Sequence, residues 1–228
     1  MAYTAHPPTT RRTLLTGAAA AAAVSLTPRR AAAQAPAGRF QPARHSQDDW
    51  FDAVPGKHRT FIDTATPAGA AAGLLFANNL YVGNARGYQL KEADVAVVVC
   101  LRHLATAFAF NDAIWAKYGQ ALSDAVQFTD PKTGRAPTVN LFDAAGYGML
   151  PSGGITISSV VKRGTHFAVC DMATNRLAGL VATAAKGVQE AVYAEFVRNL
   201  IPNSHLTAAG VVAVNRAQEY GYTLLTAV

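Results

Sequence analysis

The chain has 228 residues, half of them hydrophobic and only 15% charged, which excludes intrinsic disorder for its bulk and fits a single domain. Its formal charge of +6 suggests an anionic partner, but Arg11, Arg12, Arg29 and Arg30 fall in the first 35 residues, which hold no acid. The remainder carries sixteen bases against fourteen acids, a balance of +2 without a basic stripe, so a nucleic-acid partner is not expected; two cysteines are also too few for a disulfide scaffold or a four-cysteine zinc site.

Residues 1–35 read as an export signal. Arg11 and Arg12 precede a moderately apolar run, residues 13–27, and Ala33-Gln34-Ala35 offers a small-residue cleavage site before Pro36. The paired arginines followed by Leu14 and Leu15 resemble a twin-arginine signal. The run is too short to be a comfortable membrane anchor, and no later charge-free apolar run approaches the ~18 residues a spanning helix needs. The expected product is therefore periplasmic or secreted, exported by the twin-arginine route, with no stable membrane anchor.

Residues 36–56 are proline-rich and polar, and read as an extended lead-in in which Asp48 to Phe51 form a short turn. Residues 57–63 read as a strand. Thr66 and Pro67 then open a helix as N-cap and first position, which Gly83 or Gly87 closes; Asn78 and Asn79 lie near its end, as a cap or a polar wall. Residues 93–101 are continuously apolar and β-branched, the pattern of a strand buried on both faces of a parallel sheet. Residues 104–118 read as a helix anchored by Leu104, Phe108, Trp115 and Tyr118, on which Asp112 is expected to pair with Lys117 or Arg102. Residues 127–154 are rich in glycine and proline turns and are longer than an ordinary connection.

Residues 155–163 are ambiguous between strand and helix, and 165–170 read as a short buried strand. An apolar stripe from Leu177 to Leu200 predicts one long helix over 174–200, stopped by Pro202. A short strand or loop from Leu206, a helix over 208–220 and a strand over 222–226 close the chain. This alternation predicts an α/β fold: a three-layer open parallel sheet of about five strands with helices on both faces, in one domain over 57–228 with 127–154 as an inserted loop.

In such sheets ligands bind beyond the carboxyl ends of the strands. Arg102 and His103 follow one strand, and Cys170 ends another just before a helix. A thiol so placed feels the positive end of the helix dipole, which favours a thiolate able to attack sulfur or carry a persulfide. Arg102 and His103 would reinforce that charge if they stand nearby, so Cys170, His103 and Arg102 are the candidate catalytic residues. The plainer readings are Cys170 as a small buried hydrophobe and His103 as a structural residue. Cys100 lies inside the apolar strand and suits the core, although an oxidising compartment would permit a Cys100–Cys170 disulfide. His166, Cys170 and Met172 form a soft-ligand set of the kind that suits Cu(I). No phosphate loop, dinucleotide fingerprint, GxSxG elbow or HExxH is present, and none of these residues implies a cofactor.

The segment Leu206 to Tyr222, with Gly210-Val211, a short helix and Gln218-Glu219-Tyr220-Gly221-Tyr222, resembles the closing pattern of DsrE/DsrF-like proteins. Residues 161–170 (VKRGTHFAVC) are similar to that family's run of helix, glycine, strand and cysteine, and 95–103 to its apolar second strand. The resemblance covers 57–228. It implies a five-stranded parallel sheet between helices, a homo-oligomer, and sulfur carried on a cysteine that falls on Cys170, with a donor or acceptor protein or a small sulfur compound as partner. The alternative is a non-catalytic module that binds a small ligand or metal in the strand-end pocket or only assembles.

Overall fold

The computed structural model describes residues 41–227; the export-signal reading lies outside the described residues. Two short helical turns lead in, a 3-10 turn at Ser46–Asp48 and α1 (Trp50–Ala53). There follow β1 (His58–Thr64), α2 (Pro67–Tyr88), β2 (Val95–Leu101), α3 (Asp112–Val126), α4 (Ile157–Val161), β3 (His166–Cys170), α5 (Asp171–Ala185), α6 (Gln189–Arg198), β4 (Ser204–Thr207), α7 (Gly210–Glu219) and β5 (Thr223–Ala227).

The five strands form one parallel sheet in the order β4-β3-β2-β1-β5. Helices cover both of its faces, so the fold is the three-layer α/β sheet that the alternation predicts. β2 lies at the centre and all seven of its residues are buried, as its unbroken apolar run requires. Among the described residues no helix is long and apolar enough to cross a membrane.

Alternation along the strands sorts the side chains. Val97, Val99 and Leu101 of β2 and Phe167 and Val169 of β3 point into a large core shared with α2 to α6. Ala96, Val98, Cys100 and Ala168 point the other way, into a smaller core under α1 and α7 that holds Phe51, Phe61, Tyr220 and Tyr222.

Several elements depart from the sequence reading. α2 runs through Asn78, Asn79, Gly83 and Gly87 to Tyr88, so the asparagines sit within the helix; it stops at Gln89, which takes the left-handed C-cap conformation. The helix expected over 104–118 is two elements. A 3-10 segment, His103–Ala109, ends at Phe110, and α3 restarts where the Asn111 side chain accepts the Ala113 N–H. Asp112 pairs with neither Lys117 nor Arg102. It accepts the Asn140 N–H, while Lys117 bonds Glu195 at 2.8 Å.

Residues 155–163 hold the short helix α4, capped by Thr156. The long helix over 174–200 is a pair, α5 and α6, broken where Lys186 turns left-handed before Gly187. The apolar stripe runs across the break because both helices pack into the same core.

Candidate functional site

The carboxyl ends of β1, β2 and β3 present Asp63, Arg102 and Cys170 side by side. In the register Asp63 pairs with Cys100, and Leu101 with Val169, so Arg102 stands beside Cys170. Alternation places Asp63, Cys100, Arg102 and Cys170 on one face, the face under α7.

Cys170 ends β3 and is also the N-cap of α5, which begins three residues earlier than the sequence pattern indicates. Its Sγ accepts the Ala173 N–H at 3.4 Å, and its carbonyl accepts the buried Thr174 hydroxyl at 2.9 Å. The sulfur therefore takes the place a Ser or Asp oxygen ordinarily fills at a helix start. Cys170 is buried, with 7% of its surface exposed.

Arg102 lies next to the thiol but is held by another partner. Its Nε and Nη2 donate to the two Asp63 oxygens at 2.7 and 2.8 Å, a bidentate pair with Asp63 buried. That bond, together with the carboxylate's charge, holds the guanidinium proton even more firmly than usual. The arginine stem crosses the first residue of α7, Gly210, where a Cβ would stand 2.9 Å from Arg102 Cδ and collide with its Cβ. Arg102 is thus oriented by Asp63 and by α7, and its charge is largely offset by the carboxylate.

His103 does not join this group. It is exposed, its backbone is left-handed at φ 54°, and it makes no side-chain hydrogen bond among the described residues. The left-handed turn redirects the chain straight after β2, which explains why the strand stops abruptly at Arg102-His103.

Cys100 and Cys170 share a face but are offset diagonally, because Cys100 pairs with Ala168, two residues before Cys170. Both thiols are free. A diagonal Cα separation of ~7–8 Å is wider than a disulfide bridges without backbone movement. Cys100 is fully buried, its Sγ 3.9 Å from the Gly210 carbonyl, and burial together with the Asp63 charge pushes its thiol pKa well up. It is a packing residue with a suppressed thiolate. The His166, Cys170, Met172 set is not assembled: His166 is at the opposite end of β3, and Met172 is 69% exposed on α5.

Beside Cys170, at the end of β4, a cavity of about 180 Å³ is lined by Gln47, Asp48, Asp171, Leu206, Thr207 and Ala208. Asp171 accepts the Tyr193 hydroxyl at 2.5 Å, which ties α6 to the start of α5 and pushes the tyrosine pKa up to about 12. Asp63 and Asp171 lie at strand ends, where the sequence places ligands without giving either residue a role, whereas the cavity depends on the fold alone. An apolar groove of about 450 Å³ between α2 and β5 lies across the sheet and offers no carboxylate, thiol or imidazole. Comparison of the chain with models of protein families, with curated proteins and with solved structures found no match.

Proposed function

We propose that this is an exported DsrE-like protein that carries sulfur on Cys170. The observation that supports this reading is the cap: a sulfur at the end of a parallel strand, fixed by a helix N–H and facing the positive end of a 15-residue helix. Attack of the Cys170 thiolate on a polysulfide forms a Cys170 persulfide and expels a polysulfide chain one sulfur shorter. A thiol of an acceptor protein then takes the outer sulfur and returns Cys170 to the thiolate. Asp63 fixes the Arg102 side chain, which belongs to the strand next to that of Cys170. His103 has no part in this chemistry.

Mass spectrometry of the intact protein after polysulfide treatment tests the proposal. The expected result is a gain of one sulfur atom that disappears in Cys170→Ser and persists in Cys100→Ser. No gain, or a gain that persists in Cys170→Ser, overturns it. A second reading, binding of a small ligand without sulfur chemistry, draws on the cavity beside Asp171 and Thr207. It gains if no adduct forms.

A further inference from the structure

The second group of titratable side chains on the α7 face stands at the other end of β3. His166 and His205 lie on neighbouring strands; His205 pairs with Ala168, two residues beyond His166, so both imidazoles share one face. Their nearest nitrogens, Nδ1 of His166 and Nε2 of His205, are 2.9 Å apart. Neither ring has another hydrogen-bond partner among the described residues, and both are half-buried on the side of the edge strand β4. The His205 ring is fixed in plane by the Trp50 indole, stacked at 3.9 Å between centroids and 4° from parallel.

We propose that His166 and His205 form a two-imidazole site for a divalent transition cation of tetragonal preference, with Cu(II) the best fit. The spacing supports this assignment. With metal–nitrogen bonds of ~2.0–2.1 Å, two ligands at a right angle stand about 2.9 Å apart, whereas a tetrahedral pair stands wider, at about 3.4 Å. Imidazole is a favoured ligand for Cu(II), and square-planar or tetragonal nitrogen sites select Cu(II) or Ni(II). Turning the two rings from facing each other to facing a common point exchanges one neutral hydrogen bond for two coordinate bonds. Among the described residues no third His, Cys, Asp or Glu completes a cluster with this pair.

The electrostatics support the same use. Burial lowers the proton affinity of both rings, and with the charge of His166 it takes His205 down to about 4. Near neutral pH both rings are therefore neutral; the one proton between the facing nitrogens moves to a far ring nitrogen by tautomer exchange when a cation takes its place. This site is independent of the sulfur reading, because it lies at the far end of β3 from Cys170.

The test is equilibrium dialysis of the full, tag-free chain against Cu(II) at neutral pH, followed by metal analysis. The expected result is one tightly held equivalent, with affinity lower by about tenfold or more in His166→Gln and in His205→Gln and unchanged in His103→Gln. Electron paramagnetic resonance of the wild-type complex needs no variant and is expected to show coupling to two imidazole nitrogens. Absence of a held equivalent, equal retention in His166→Gln and His205→Gln, or coupling to fewer than two nitrogens would overturn the assignment.

Discussion

The two faces of the sheet are built from the same strands and have opposite characters. Toward α2 to α6 the strands present Val97, Val99, Leu101, Phe167 and Val169, a broad apolar layer. Toward α1 and α7 they present Phe61, Val98, Cys100 and Ala168 in the middle and chemistry at both ends: Asp63, Arg102 and Cys170 at the carboxyl edge, and His166 and His205 toward the other. One face holds the larger core, while the other holds a smaller core with titratable groups at its rim. The separation follows from the period of two along a strand, which keeps neighbouring residues on opposite faces.

Substitutions on either face test this division. The largest effect is expected from Phe167→Ala, which empties a fully buried site in the broad layer and should cost about 3–5 kcal/mol in chemical denaturation. Such a variant, where it still folds, should keep its reactivity at Cys170. Gly210→Ala comes next. Its new methyl meets the Arg102 stem close to the backbone, where no flexible end can yield, so a loss of about 1–3 kcal/mol is expected. Unlike Phe167→Ala it should also disturb the thiol, because α7 and Arg102 flank Cys170. A Gly210→Ala protein of unchanged stability would contradict the close crossing of α7 over Arg102.

A smaller effect is expected from acid. The His205 pKa falls from its ordinary 6.5 to about 4 in the fold, so between those values the unfolded chain binds a proton that the folded chain refuses. Stability therefore falls as pH drops through this window, and the dependence flattens below it. His205→Gln should show a shallower slope in denaturation curves collected between pH 7 and 4. An identical slope in the variant would remove His205 as the source.

Much of the architecture was legible in the chain. The run Val95 to Leu101 announced a central strand, and the alternation of strands with helices announced a parallel sheet, because local pattern and tertiary burial agree there. Strand-end reasoning singled out Cys170 and Arg102 as neighbours of the site. Four things escaped it for physical reasons. The break at Lys186-Gly187 interrupts a stripe that stays apolar on both sides, so periodicity alone sees one helix. The Asp63–Arg102 pair needs β1 and β2 to be adjacent, and the His166–His205 pair needs the register of β3 on β4; neither adjacency nor register is written in either strand. His103 looked equivalent to Arg102 until the left-handed turn carried it away from the rim.

The two cysteines concentrate the contrast, since they share a face and differ in place. One caps a helix and keeps 7% of its surface exposed, and the other is sealed beneath α7. The most direct measurement is the rate of iodoacetamide labelling of each cysteine in the native protein, read by peptide mass mapping. Cys170 is expected to label readily under native conditions, and Cys100 only after denaturation. Labelling of Cys100 first, or of neither until the protein unfolds, would contradict the assignment of Cys170 as the working thiol.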